Sequence, residues 1–205
     1  MSLTATALNK PSPTDRWLDK PVFNWWPQLT VERLLVVIII FLTVISRFYD
    51  VDVRTMAHDE INHVVPAFTF ENYVYDPMTH GPFQFHALAF SYFLFGPSDF
   101  SARFPAVIFG IGTGLFALFA WRRYLGRIGA ILAGFFFLIS PYILFYSRYT
   151  RNEIFIVFWA TTMLWLVLRY KESGEARWLY WLTFIHAMHY SDKATSYIFT
   201  AEILI

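Results

Sequence analysis

Apolar residues along this chain fall into long blocks rather than alternating with polar ones. Five blocks, near residues 34–49, 101–120, 128–146, 154–168 and 176–191, approach the ~20 residues a helix needs to cross a bilayer, and a sixth begins near 196. The fourth reaches that length when extended through Tyr170. Phe83–Phe95 is apolar too, but Gly81-Pro82 and Gly96-Pro97 bound it and leave it too short to cross, so it is expected to lie in the interface. The pattern predicts an all-α, polytopic transmembrane protein of about five spans plus a partial sixth, with interfacial helices in the loop 50–100. Gly110, Gly112 and Gly114 predict close helix packing along the second block.

Composition supports that class. The chain is 57% hydrophobic and 21% aromatic, and its 15% of charged residues falls below the roughly 25% usual in soluble domains. A net charge of +1 offers no bulk basic surface for nucleic acid, so the sixteen Lys and Arg serve instead as topology markers. With the N-terminus inside and Phe83–Phe95 flat, the inner segments hold Lys10, Arg16, Lys20, Arg33, Arg122, Arg123, Arg127, Arg169, Lys171 and Arg177, ten of the sixteen. A crossing Phe83–Phe95 would move Arg122-Arg123 outside, against the positive-inside rule. The expected protein is therefore a multi-pass protein of the cell (inner) membrane. It has a cytoplasmic arm at 1–33, without a signal-peptide pattern, and a transmembrane domain at 34–205. Trp17, Trp25 and Trp26 of the arm suit the membrane interface. The absence of cysteine excludes disulfides and thiolate metal sites.

On this topology the unusual polar residues gather on the outer face. The first cluster is Ala57-His58-Asp59-Glu60-Ile61-Asn62-His63. Asp59 and His63 are four apart and Glu60 and His63 three apart, so on a helix either carboxylate shares a face with the imidazole, the poise a general base needs. The plainer reading is a helix start whose acids favour the positive end of the dipole. His58 and His63 are five apart rather than the four of a zinc-protease helix, which argues against that metal site. No cofactor follows from these residues, and a loosely held divalent cation assisting phosphate chemistry is compatible with them. Further on, Asp76-Pro77 and Gly81-Pro82 predict turns, with His80 on a shaped corner as either a phosphate contact or an interface residue. His186 and His189, three apart near the outer end of the fifth block, read either as members of the site or as hydrogen-bonded packing residues, the second being favoured.

Three stretches carry a family resemblance: His58-Asp59-Glu60; His80-Gly81-Pro82-Phe83 with Leu94-Phe95-Gly96-Pro97-Ser98-Asp99-Phe100-Ser101-Ala102-Arg103-Phe104-Pro105; and Ser140-Pro141 with Tyr146-Ser147-Arg148-Tyr149-Thr150-Arg151-Asn152-Glu153. Over residues 34–200 the chain resembles the polytopic glycosyltransferase superfamily with the C-type fold, which includes protein O-mannosyltransferases and lipid A aminoarabinose transferases. Within that group the likeness is greatest to flippase-associated, PMT-like bacterial and archaeal proteins.

The resemblance implies a glycosyltransferase moving a hexose or pentose from a polyprenyl-phosphate donor to an acceptor on the outer face. Asp59 would be the catalytic base, with Glu60 beside it. Arg148 or Arg151 would face the lipid phosphate, Glu153 would support the site, and Arg103 matches the Ala-Arg-x-Pro element. Lys193 resembles a lysine at the next outer turn, although Lys193-Ala194 departs from the Lys-Glu or Lys-Gly common there. His80 would join the phosphate contacts, with His58 and His63 supporting the base.

The chemistry agrees, because cations at Arg103, Arg148, Arg151 or Lys193 would stabilise charge developing on a leaving phosphate. There is no Gly-rich nucleotide cradle to favour a nucleotide sugar. Expected partners are membrane lipid, the polyprenyl-phosphate sugar and other subunits of a membrane complex, with no nucleic acid. The resemblance places the chain in the N-terminal half of a larger fold, and it ends inside the apolar run Ala201–Ile205, so truncation or a short derivative is expected. The alternative function is a non-catalytic, shortened relative serving as a structural subunit.

Overall fold

A computed structural model describes residues 13–75 and 80–204. A 3₁₀ turn (Pro13–Asp19) leads into a hairpin, β1 (Pro21–Phe23) and β2 (Trp26–Thr30), paired antiparallel with Phe23 opposite Trp26. Short and set in a proline-rich arm, this hairpin escaped the block pattern. The helices that follow are α1 (Val31–Phe48), α2 (His58–Phe68), α3 (Pro82–Phe95), α4 (Asp99–Phe119), α5 (Arg122–Ile139), α6 (Pro141–Tyr146), α7 (Glu153–Ser173), α8 (Ala176–Tyr190) and α9 (Ser196–Leu204). The fold is helical, as the apolar blocks predict.

The correspondence with the blocks is close, with one division. The stretch expected at 128–146 is broken at Ser140-Pro141 into α5 and α6, because proline cannot donate the next helical hydrogen bond. Ser140 caps the second piece, its hydroxyl accepting from the Ile143 N–H at 3.4 Å. Gly126 and Gly174, in the two short basic connections, both take positive φ, near 69° and 67°. The expected turn at Asp76-Pro77 lies outside the described residues, as do positions 1–12 of the arm.

By length and composition, α4 and α7 are the described helices apolar enough to cross a membrane. In α1 the charges Glu32, Arg33 and Arg47 sit in the end turns, and α5 opens on Arg122, Arg123 and Arg127. α8 has 15 residues. α3, with 14 residues, extends ~21 Å and is too short to cross.

α4 is the centre of the bundle, packed against α1, α3, α5 and α7. Small residues allow this. A Cβ on Gly110 would lie 2.2 Å from the Ser147 Cβ, and one on Gly114 would touch Thr43 of α1, so the glycine spacing serves packing within the chain. Ala106 of α4 joins Ile154, Phe155, Trp159, Met163 and Leu166 of α7 and Ile185 of α8 in the main core. A smaller core joins Ala67, Leu88 and Ala102, from α2, α3 and α4.

The two ends of the bundle are chemically distinct. At one, Arg127 bridges Asp19 and Glu32, Arg122 pairs with Glu32, and Glu172 receives Arg123 and Arg169. At the other, the buried Arg47 donates to the carbonyls of Phe137 at 2.7 Å and Leu138 at 3.3 Å, satisfying the negative end of α5. That second end carries the candidate site.

Candidate functional site

α2 begins where Glu60 reaches back one turn, its Oε2 accepting from the Ala57 N–H at 3.1 Å. Adjacent residues on a helix do not face the same way, and the two acids of the opening cluster part company. Glu60 points inward and is fully buried. Its Oε1 accepts from Arg103 Nε at 2.9 Å and the Thr150 N–H at 3.1 Å; its Oε2 also takes Arg103 Nη2 at 3.1 Å and Arg54 Nη2 at 2.8 Å. Five donors crowd the roughly four lone-pair sites of one carboxylate, so none is left for a substrate. Burial alone would raise its pKa, but the Arg103 hydrogen bond and the Ala57 and Thr150 N–H groups outweigh that and hold it below the usual range. Arg103 is equally buried and spends its remaining arm on the Val51 carbonyl at 2.7 Å.

Asp59 turns the other way, with 48% of its side chain exposed, and pairs with Arg151. Arg151 also meets Glu153 Oε1 at 3.3 Å, and Lys193 donates to the same oxygen at 3.1 Å. Asp59, Arg151, Glu153 and Lys193 thus form a chain of alternating charge drawn from α2, the turn before α7, the start of α7 and the turn after α8. Beside it a cleft of about 410 Å³ is lined by Asp59, Asn62, His63, His80, Phe85 and Arg151.

The two histidines of the cleft stack, ring centroids 5.0 Å apart and nearly parallel, and Phe85 also stacks on His63 at 5.5 Å. His63 meets the backbone carbonyl of Asp59 through Nδ1 at 2.8 Å, so the one-turn spacing holds the ring by the main chain rather than by a carboxylate. Burial lowers the pKa of both, that of His80 to about 4, with His63, Lys193 and Arg151 adding to the effect. Both rings are neutral at pH 7.

The corner that carries His80 is clamped to the turn after α8. Gly81 N–H donates to the Asp192 carbonyl at 2.9 Å and Phe83 N–H to the Ser191 carbonyl at 2.8 Å. A Cβ on Gly81 would stand 2.2 Å from the Ser191 oxygen. Gly81→Ala is therefore expected to cost about 1–3 kcal/mol and to displace His80, read as a lower thermal unfolding midpoint in detergent and faster cleavage by protease at this corner.

Asn152, buried between Arg151 and Glu153, donates to the Asp192 carbonyl at 3.0 Å and to its Oδ1 at 2.6 Å. Burial pushes the Asp192 carboxyl up to about 8, against the lowering effects of Asn152 and Lys193. A pKa raised on folding means stability that is full below the unfolded value near 3.8 and is lost as pH rises through about 8. His80 has the opposite sign, losing stability as pH falls from about 6.5 toward 4. Asp192→Asn is expected to remove the alkaline loss, measured as a flatter unfolding midpoint between pH 6 and pH 9.

The structure brings together Asp59, His63, His80, Arg151, Glu153 and Lys193. It separates from them Glu60 and Arg103, which form a buried pair, and Arg148, which donates to the carbonyls of Tyr49 at 2.5 Å and Asp50 at 3.1 Å. His58 is exposed and does not line the cleft. Sequence reasoning missed Arg54, Asn62, Phe85, Asn152 and Asp192. Asn152 and Asp192 sit next to residues it did select, but no pattern of types announces that an acid is buried. Among the described residues, no group of three or more His, Asp and Glu is placed to hold a metal ion.

Residues 79–205 match the model of a family described as dolichyl-phosphate-mannose-protein mannosyltransferase. The matched segment takes in His80, Arg103, Arg148, Arg151, Glu153 and Lys193 and begins after α2, so Asp59 and Glu60 lie ahead of it. No curated protein and no solved structure gives a significant match.

Proposed function

Because the chain belongs to the dolichyl-phosphate-mannose-protein mannosyltransferase family, we propose that it acts as a membrane glycosyltransferase, moving a sugar from a polyprenyl-phosphate donor to a hydroxyl acceptor on the outer face. One observation carries this reading: Asp59 stands half exposed at a cleft, joined through Arg151 and Glu153 to Lys193, while Glu60 and Arg103 of the same end are buried against each other and Arg148 is bound to main chain.

The reaction uses those groups directly. Asp59 takes the proton of the acceptor hydroxyl as its oxygen attacks the anomeric carbon. The new C–O bond forms as the bond from that carbon to the phosphate oxygen breaks, and the electron pair leaves on the polyprenyl phosphate. Arg151 and Lys193 meet the charge that develops there. Glu153 holds both cations in place, and the neutral His63 and His80 shape the wall without competing for the proton. Glu60 is a positioning residue: with Arg103 and Arg54 it ties α2 to α4 and to the turn before α7.

The membrane setting is part of the proposal. Spans at α1, α4, α5 with α6, α7, α8 and the start of α9 place the Arg122, Arg127 and Glu172 end in the cytoplasm and the cleft outside. The exposed apolar faces support it, with Phe41 at 62%, Phe136 at 60% and Tyr180 at 76% exposure on α1, α5 and α8. End-turn charges such as Arg33 and Arg122 reach the headgroups from helix termini.

A single base with direct displacement inverts the anomeric centre. In membranes supplied with a labelled polyprenyl-phosphate sugar, the product is expected to carry the configuration opposite to the donor's, as read by NMR. Retention would exclude direct displacement. No transfer at all would favour the non-catalytic subunit.

A further inference from the structure

We infer that a second groove, between the Val51–Arg54 loop and α6, binds the phosphodiester headgroup of an anionic bilayer lipid, separate from the transfer cleft. This inference rests on the membrane reading above but not on the transfer chemistry.

The groove measures about 470 Å³ and is lined by Val51, Arg54, Pro141, Leu144, Phe145 and Arg148. Its composition is that of a lipid site: two guanidinium groups over four apolar walls. The two linings share no residue, and Tyr149 closes one side of the groove's wall by packing on Phe145 and under the Arg54 guanidinium at 4.9 Å.

Charge is unbalanced here as it is not in the cleft. Among the described residues Arg148 donates to carbonyl oxygens alone, and its Nε is buried without a partner there. Arg47, whose field reaches Arg148, is likewise bound to carbonyls and the Ser46 hydroxyl. Arg54 and Arg103 share the single carboxylate of Glu60. Four arginines therefore meet three acids, Glu60 and the exposed Asp50 and Asp52 of the loop, which leaves one positive charge in excess; the two aspartates form no ion pair among the described residues. By contrast, the transfer cleft alternates two acids with two cations. Excess positive charge lined by apolar surface attracts an anion that brings hydrocarbon with it. A phosphodiester at Arg54 and Arg148, with its glycerol and upper chain against Val51, Leu144 and Phe145, satisfies both halves.

The test uses the full chain in nanodiscs of equal phosphatidylglycerol and phosphatidylcholine, with retained lipid counted by native mass spectrometry. Wild type is expected to keep phosphatidylglycerol in preference, and Arg148→Lys to keep it as well. Arg148→Gln is expected to lose roughly fivefold, the effect of one basic residue on anionic lipid. Leu144→Glu, at a position whose wild-type side chain makes no hydrogen bond, is expected to lose at least as much, whereas Lys171→Gln at the far end changes nothing. Equal retention of both lipids, or no loss in Arg148→Gln and Leu144→Glu, overturns the assignment. Displacement by millimolar glycerol phosphate points to a soluble phosphate ester, and displacement by stoichiometric polyprenyl phosphate points to the donor's carrier; either overturns it too. Extraction of the chain from membranes by alkaline carbonate overturns the membrane reading itself, and this inference with it.

Discussion

Glu60→Ala is expected to destabilise the fold by about 3–5 kcal/mol, the cost of leaving a buried cation without its counter-charge. Arg103 has no route to water, since both side chains of the pair are fully buried. The change also strands the N–H groups of Thr150 and Ala57 and the inward arm of Arg54. A loss of that size consumes much of the roughly 5–15 kcal/mol that holds a typical domain folded. The unfolding midpoint in detergent should collapse, and purified yield with it. Glu60→Leu combined with Arg103→Met should recover the part of the loss due to the stranded Arg103 charge, because replacing a buried pair by apolar groups is cheaper than breaking it, while the Thr150 and Ala57 N–H groups stay unpaired. Wild type should itself weaken in acid. A carboxyl held below its usual pKa contributes stability that is present above the unfolded value near 4.5 and is lost as pH falls through the lowered folded one. Full stability in Glu60→Ala would refute the positioning role.

That prediction marks where the sequence was legible and where it was not. The apolar blocks located α1, α4, α7 and α8 closely because a helix that buries or exposes hydrocarbon must be apolar over its length, whatever it packs against. The break at Ser140-Pro141 falls inside the block at 128–146, whose apolar residues continue on both sides of the proline and so hide the division. The β1–β2 hairpin left no periodic trace in so short a segment. At the site, residue types and order pointed to Asp59, Arg151, Glu153 and Lys193, which the fold does bring together. They could not separate Asp59 from Glu60, adjacent acids of the same class. Only the helix phase decides which of them turns toward Arg103 and which toward the cleft. Arg103 and Arg148 were drawn to the phosphate for the same reason. A cation's partner is set by three-dimensional packing, and theirs are a buried carboxylate and backbone carbonyls.

Asp59→Asn has the larger expected effect on activity and the smaller one on the fold. The amide keeps the shape of the side chain and still accepts from Arg151 through its oxygen, and the position is half exposed, so the unfolding midpoint should move little. What it loses is basicity. General-base catalysis contributes about 10²- to 10⁴-fold, and transfer should fall by that factor while donor binding, which the proposed mechanism assigns to Arg151 and Lys193, should persist. Arg151→Gln should act differently, weakening both donor binding and turnover.

The most direct measurement is the rate of transfer from a labelled polyprenyl-phosphate sugar in membranes, comparing wild type with Asp59→Asn at equal protein and matched unfolding midpoints. The proposed mechanism predicts transfer by wild type and a drop of about 10²-fold or more in the variant. Equal transfer by the two proteins would contradict Asp59 as the base.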